Sequence, residues 1–200
     1  MDLGSFLLMR QELTLLSVIL LLVIFEIFAK NKSSLINVGI VLFAAHTVIG
    51  FFPLEEGSIF GGMFRTTSLI HLFKNVINVG VLIILLQSAE WIRKELVDQH
   101  KSTEFMILMM CSLLGMYYMI SAGDFLMFYL GLELSALPIA ALIAFETTKR
   151  VSAEAGIKFI LSAGLASGTS IFGISLIYAT TGTIYFDEMA VELVYSNLSL

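Results

Sequence analysis

The 200-residue sequence is poor in cysteine, proline and charge. Its single cysteine, Cys111, excludes an intrachain disulfide and a metal cluster held by cysteines. Charged residues make up only 14% and hydrophobic residues 58%, whereas soluble domains carry about 45–50% apolar residues. This composition indicates an integral membrane protein and excludes a globular soluble enzyme. With only two prolines and no repeat, we expect a single membrane domain over residues 1–200.

Sequence motifs for redox or hydrolytic chemistry are also missing. The sequence contains no phosphate-binding loop, no dinucleotide-binding glycine motif after a strand and no HExxH. The three histidines, His46, His71 and His100, are far apart and lack the spacing of haem or metal ligands. If the chain belongs to an enzyme, we expect the redox chemistry to lie on other subunits.

Apolar segments long enough to cross a bilayer, which takes about 20 residues, occur six times. They span residues 13–29, 35–52, 67–91, 105–120, 125–145 and 151–180. The predicted fold is therefore an all-α integral membrane bundle of about six transmembrane helices. Beyond the sixth segment, apolar residues recur at helical spacing over 185–196, which fits an amphipathic helix on the membrane surface or a connection to a further span.

The distribution of basic residues predicts the orientation in the membrane. The connections after the first, third and fifth segments hold seven: Lys30, Lys32, Arg93, Lys94, Lys101, Lys149 and Arg150. The opposite side holds only Arg10 and Arg65. Because cytoplasmic loops carry the excess of Lys and Arg, both termini should face away from the cytoplasm.

Glu133 is the one charged residue between Phe125 and Phe145. It lies eight residues into its segment, at a depth of about 12 Å. Ionisable groups inside a membrane cost about 2.5–3.5 kcal/mol each and are functional candidates by default. Pro138 frees a backbone carbonyl one turn earlier and can kink the helix. Glu133 could relay protons, or it could remain protonated and only bind a neighbouring helix.

Glu154 and Lys158 lie four residues apart at the start of the sixth segment, so they share a helix face and can pair. An interfacial ion pair that anchors the helix would also explain them. Since the fifth and sixth helices run in opposite directions, Lys158 could differ in height from Glu133 by about 8 Å, where a charge of opposite sign contributes roughly 2 kcal/mol. Opposed burial and charge effects would suit Glu133 to a proton relay.

The third segment carries a polar stripe at positions i, i+3, i+4 and i+7 of one helix face. Its members are His71, Lys74, Asn75 and Asn78. A polar channel lining and a hydrogen-bonded packing seam between helices both explain the stripe. Lys74 favours the channel lining.

Three stretches resemble a known family: YLGLELSALP (129–138), SAEAGIKFILSAGLASG (152–168) and ISLIYATTGT (174–183). They are similar to subunit N of the proton-pumping NADH-quinone oxidoreductases, respiratory complex I, which is related to multisubunit cation/proton antiporters. The resemblance implies that Glu133 is the fifth-helix glutamate of a proton channel. Glu154 and Lys158 then match the acidic and basic positions that open the sixth helix.

The resemblance also implies that NADH, FMN, the iron-sulfur clusters and the quinone belong to other subunits, with no cofactor in this chain. The expected partners are the other membrane subunits and the lipid bilayer, without nucleic acid. Family members have about fourteen helices, so the sequence corresponds either to the N-terminal portion of such a subunit or to a shortened subunit. In both cases it lacks the seventh-helix lysine expected beside Glu133. A second departure is Phe64-Arg65-Thr66-Thr67, where the family often has an aspartate. A cation/proton antiporter subunit and a structural spacer remain the alternative functions.

Overall fold

The computed structural model describes residues 6–28, 32–53, 55–96 and 101–198. Three positions used in the sequence predictions lie outside these ranges: Ala29 at the end of the first predicted span, Lys30 and His100.

Helices dominate the described part of the chain. The α-helices are α1 (Arg10–Phe28), α2 (Lys32–Gly50), α3 (Ser68–Trp91), α4 (Ser102–Ile120), α5 (Phe125–Ile143), α6 (Arg150–Thr181) and α7 (Phe186–Leu198). A short 3-10 turn precedes α1, and a π-helical turn, Ile92–Leu96, continues α3. The predicted all-α membrane bundle is confirmed. The sequence did not predict the small antiparallel hairpin formed by β1 (Gly57–Ile59) and β2 (Phe64–Thr66).

Five of the described helices are long and apolar enough to span a membrane: Leu7–Phe28, Ser68–Lys94, Ser102–Ile120, Phe125–Ile143 and Arg150–Thr181. In α2 the apolar stretch, Ser34–Gly50, is shorter. The sequence placed the end of this helix at residue 52. It ends earlier because Pro53 disfavours the helical conformation in the residue before it.

α4 lies at the centre of the bundle. Its buried side chains Met106, Met110, Leu113 and Tyr117 join the same core as apolar residues from the first three helices. Its other side meets α5 at very short range. α6 packs mainly against α5, and many of its apolar side chains are exposed.

Two glycines set the distance between α4 and α5. A Cβ atom built on Gly115 of α4 would overlap the backbone of Leu134 and Ser135, and one on Gly131 of α5 would overlap the backbone of Met119. Because small residues let membrane helices approach closely, these positions fix how α5 is rotated. Glycine is required here for space and not for its backbone conformation.

The hairpin closes one end of the bundle, which we call the hairpin end. Phe64 forms a bridge with Ala122 in the α4–α5 connection, where the Gly123 amide also donates to the Met63 carbonyl at 2.7 Å. Next to it, Arg65 pairs with Asp187 in the first turn of α7. The hairpin therefore links the start of α3, the α4–α5 connection and the start of α7.

Replacing Gly115 with alanine should destabilise the protein by about 1–3 kcal/mol, because the added methyl group overpacks the α4–α5 contact. The melting temperature in detergent measures this effect. Gly80→Ala on α3 is the matched control, since a Cβ there meets no atom within 4 Å. It should leave stability unchanged or raise it through better helix propensity. Equal melting temperatures for the two variants would contradict the close packing.

Candidate functional site

Glu133 lies on the side of α5 that faces α6. Gly131 and Ser135, four residues apart, form the face that packs against α4. Tyr129 and Glu133 form a second face about 200° away from that one, because each residue turns the helix by about 100°. Asp124 caps the start of α5 by accepting a hydrogen bond from the Met127 amide at 2.7 Å. The cap and the glycine contacts therefore hold the Glu133 carboxyl group at the α5–α6 interface.

Ser167 of α6 is the hydrogen-bond partner of Glu133. Its hydroxyl donates to Glu133 Oε1, and the Tyr129 hydroxyl lies 2.9 Å from the same Ser167 oxygen. Ser167 is buried and Glu133 is half-buried. Within the described residues, no lysine or arginine lies within the 4 Å ion-pair distance of Glu133. The carboxyl group thus sits in an apolar helix pair with only uncharged hydroxyl groups beside it.

Lys158 pairs with Glu154 and lies farther from Glu133 than the sequence indicated. Its Nζ lies 2.6 Å from Glu154 Oε1, and the two side chains are 72% and 59% exposed. Ser167 marks the level of Glu133 on α6, and Lys158 precedes it by nine residues, or about 13 Å along the axis. The expected 8 Å was too short because α6 extends farther past Glu133 than simple antiparallel alignment of the two spans assumes. The pair therefore has the geometry of the anchoring alternative.

A second polar cluster, of which the sequence predictions named only the residues on α3, lies at the hairpin end. Lys74 of α3 forms a salt bridge with Glu12 of α1, and their side chains are only 2% and 1% exposed. Lys74 Nζ also lies 5.2 Å from the centre of the Phe64 ring and 5.6 Å from that of Tyr117. One residue along each helix, Gln11 Nε2 donates to Asn75 Oδ1 at 2.8 Å. Two polar pairs thus join α1 to α3.

A hydrogen-bonded chain runs from this cluster across α2 and α4. The Tyr117 hydroxyl donates to Asn78 Oδ1 and lies 3.0 Å from His46 Nε2. On the other side of the ring, His46 Nδ1 lies 2.9 Å from the Thr14 hydroxyl. Four helices therefore meet in one buried polar network.

The polar stripe of α3 is divided between its two explanations. Lys74, Asn75 and Asn78 are buried and bonded to neighbouring helices, which is the packing seam. His71 instead borders an open cavity of about 520 Å³. The cavity is lined by Phe51, Ser68, His71, Leu72, Asn75, Val76 and Val79. Of the four stripe residues, His71 and Asn75 thus border this cavity, whereas Lys74 and Asn78 do not line it.

Sequence reasoning missed Glu12 because it placed the first span after that residue. In the structure α1 begins at Arg10, which brings Glu12 inside the helix. Two features of the sequence pointed to Glu12. It immediately precedes the first apolar segment, and Lys74, a lysine inside the third predicted span, had no predicted acidic partner. Ser167 and Tyr129 carried no such signal, since serine and tyrosine are common in membrane helices.

The described residues contain no group of three His, Cys, Asp or Glu side chains able to hold a metal ion. Cys111 is a free, partly buried thiol on α4, packed against the main core. The chemistry that this arrangement offers is the binding and exchange of protons at buried carboxyl groups.

Substitution of Lys74 or of Lys158 distinguishes the buried Glu12–Lys74 pair from the exposed Glu154–Lys158 pair. Lys74→Met should cost about 3–5 kcal/mol, because it leaves the buried Glu12 carboxylate without its cation. Lys158→Met should cost within about 0.5 kcal/mol, the range of an exposed i,i+4 pair. Melting temperatures of the two variants in detergent test this. A Lys74→Met protein as stable as the Lys158→Met protein would contradict the burial of the Glu12–Lys74 pair.

Comparison with known proteins places this fold in a family. The family model described as "NADH:quinone oxidoreductase/Mrp antiporter, TM" matches residues 122–199. NADH-quinone oxidoreductase subunit N of Phocaeicola vulgatus is 40% identical over 202 residues, covering 100% of this chain and 42% of the relative. The subunit N of Azobacteroides pseudotrichonymphae is 37% identical, covering 99% of this chain and 42% of the relative. The chain thus spans about two fifths of the length of these curated relatives.

Solved structures share the fold at lower identity. A chain of respiratory complex I from Thermus thermophilus with bound aureothin matches with a TM-score of 0.65 and 19% identity, covering 88% of this chain and 38% of that one. A chain of an archaeal membrane-bound sulfane sulfur reductase matches with a TM-score of 0.66 and 21% identity, covering 94% and 39%. The curated relatives show that the chain belongs to the family of NADH-quinone oxidoreductase subunit N, and the solved structures show that it shares the fold of these membrane subunits.

Proposed function

We propose that the chain is a proton-translocating, antiporter-like subunit of an NADH-quinone oxidoreductase, in which Glu133 takes up and releases the translocated proton. The observation that carries this proposal is a carboxyl group in the middle of an apolar helix with a neutral hydroxyl, that of Ser167, as its partner. Burying an ionised carboxylate without a cation is costly, and protonation removes the charge. Each change of its electrostatic surroundings can therefore load or unload a proton.

Ser167 and Tyr129 would position the carboxyl group of Glu133. Pro138, one turn after it, removes a backbone donor inside α5 and leaves a carbonyl oxygen for water or a neighbouring group. Glu154 and Lys158 lie near the start of α6, at the end of the helix away from the hairpin end. There they would exchange protons with the membrane surface or pass charge to Glu133. At the hairpin end, His71 and Asn75 would line the open cavity beside α3, and Lys74 and Asn78 would connect this lining to the neighbouring helices.

The partners follow from this role. Quinone reduction by NADH would occur on other subunits, which would hold FMN, the iron-sulfur clusters and the quinone, and this chain would couple to them through neighbouring membrane subunits. We place it in the bacterial plasma membrane with both termini on the non-cytoplasmic side, since seven basic residues favour one side and two the other.

A cation/proton antiporter subunit is the second candidate, because the matching family model is named for both kinds of protein. The curated relatives cited above favour the oxidoreductase, since each is a subunit N. Deletion of the gene distinguishes the two. Loss of NADH-quinone reductase activity supports the oxidoreductase, and sodium-sensitive growth with normal NADH oxidation supports the antiporter.

Glu133→Gln should reduce proton translocation in an assembled complex by about 10²-fold, the contribution expected of a positioned proton-transfer group. Glutamine keeps the size and can still accept the hydrogen bond from Ser167. The measurement is proton uptake into membrane vesicles per NADH oxidised, normalised to the amount of assembled complex. Glu90→Gln, at the exposed end of α3, is the control and should pump normally.

Unchanged pumping by Glu133→Gln would remove Glu133 from the relay. Glu133→Ala with poor assembly but normal pumping per assembled complex would instead indicate a structural spacer.

Ser167→Ala should lower proton translocation by less than Glu133→Gln does, because it removes the group that orients the carboxyl and not the carboxyl itself. Ser167→Thr keeps the hydroxyl and should restore translocation. Tyr129→Phe removes only the hydroxyl that contacts Ser167 and leaves the Ser167–Glu133 hydrogen bond in place, so it should cause a smaller loss than Ser167→Ala. The same vesicle assay measures all three variants. Equal losses in the alanine and threonine variants would show that the hydroxyl is not what matters.

A further inference from the structure

The Glu12–Lys74 pair is not needed simply to join α1 to α3. The neighbouring Gln11–Asn75 hydrogen bond connects the same two helices one position along each, with no charge to bury. A buried ion pair loses so much hydration that apolar or neutral replacements are often as stable. Ionisable residues that persist inside membrane bundles mark proton or ion pathways. The charged pair therefore calls for a function other than attachment.

Lys74 has more stabilising contacts than Glu12. Lys74 has the carboxylate of Glu12 and two aromatic rings, those of Phe64 and Tyr117. A desolvated cation–π contact stabilises the ammonium group. Glu12 has only Lys74: its Oε1 accepts the lysine hydrogen bond, and its buried Oε2 has no hydrogen-bond partner among the described residues. Lys74 therefore keeps two aromatic contacts when Glu12 is neutral, and Glu12 has an oxygen free to bind a proton.

We propose that Glu12 is a second proton-binding carboxyl group of this chain, separate from Glu133, with Lys74 as the fixed cation beside it. In the step itself, a hydronium ion at the hairpin end transfers its proton to Glu12 Oε2. An O–H bond forms there, water is left, and the net charge of the pair rises by one. Release of the same proton to water restores the ion pair. Lys74 keeps its three protons throughout.

The hairpin controls access to this site. Phe64 of β2 is fully buried and covers Lys74. The strands on either side hold only three residues each, and the turn between them contains Phe60, Gly61 and Gly62, all with positive φ. Phe60 is strained in this region, which glycine tolerates and other residues seldom adopt. Access to Glu12 from this end requires Phe64 to move, which breaks its bridge to Ala122 and no helix.

Other titratable groups surround the pair on each packed element. They are Arg10 on α1, His46 on α2, His71 on α3, and Tyr117 and Tyr118 on α4. Three other carboxylates of the hairpin end have partners of their own: Glu56 accepts from Ser68, Asp124 accepts from the Met127 amide, and Asp187 pairs with Arg65. Glu12 is the carboxylate that contacts Lys74.

The test uses the assembled complex in native membrane vesicles, with proton uptake per NADH oxidised as the readout. Glu12→Gln keeps the size of the side chain and its acceptor for Lys74, so we expect assembly and NADH oxidation to persist. Proton translocation should fall about tenfold or more, as for loss of a proton-transfer group. Glu12→Asp retains a carboxyl group and should restore it.

Gln11→Leu is the matched control, since it removes the neutral hydrogen bond between the same helices. It should lower the amount of assembled complex and leave pumping per assembled complex unchanged. Infrared difference spectra between acid and neutral pH give an independent readout. The wild-type complex should show a protonated-carboxyl C=O band that Glu12→Gln lacks and Glu12→Asp shifts.

Normal pumping per assembled Glu12→Gln complex, with an unchanged infrared spectrum, would overturn the proposal. If the Glu12→Gln complex fails to assemble, the double variant Glu12→Gln/Lys74→Met, which removes both charges, is measured in its place. Assembly of this double variant without pumping supports the proposal, whereas assembly with normal pumping, or no assembly, makes the pair a folding element and overturns it.

The inference rests on the proposed function only in that the complex pumps protons. Loss of pumping in Glu12→Gln together with normal pumping in Glu133→Gln would reject the role of Glu133 and leave that of Glu12 standing.

Discussion

Every charged side chain inside this bundle must find its partner within the protein, because hydrocarbon supplies neither hydrogen bonds nor counter-ions. The chain meets this constraint in two ways. At the hairpin end it buries a carboxylate against a lysine and two aromatic rings. Between α5 and α6 it leaves Glu133 beside a single serine hydroxyl. The first arrangement supplies a counter-ion, and the second supplies only a neutral hydrogen-bond donor.

α4 separates these two sites and also fixes both. Tyr117 on one side completes the aromatic surroundings of Lys74 and connects to His46. On the other side, Gly115 brings α5 so close that only one rotation of that helix fits. The orientation of Glu133 toward α6 is thus a consequence of packing on the far side of its own helix. A substitution at Tyr117 or Gly115 of α4 would therefore alter the packing at one polar site or the other, and a shift of α4 itself would alter both.

The all-α fold and most of the helices could be predicted from hydropathy alone, because crossing a bilayer demands long apolar segments. Glu133 could be singled out for the same reason, as a charge in an apolar run. The side chains that these charged residues contact could not be predicted in this way. Glu12 and Lys74 are 62 positions apart, and which side chains meet depends on helix rotations set by contacts such as that of Gly115 with Ser135.

The hairpin was missed because its strands are only three residues long and lie between two strong helical signals. The separation of Lys158 from Glu133 was underestimated for a related reason. Sequence gives the length of a span, whereas the offset between two neighbouring spans is decided by their side-chain packing.

Ser167 stands between Ala166 and Gly168, neither of which has a side chain that can form a hydrogen bond. Turning α6 by one residue, about 100°, would bring one of these in its place and leave Glu133 facing a purely apolar surface. The rotation of α6 therefore decides whether the carboxyl group meets a hydroxyl or an apolar surface. Gly156, which packs directly on Ala144 at the end of α5, helps to hold that rotation.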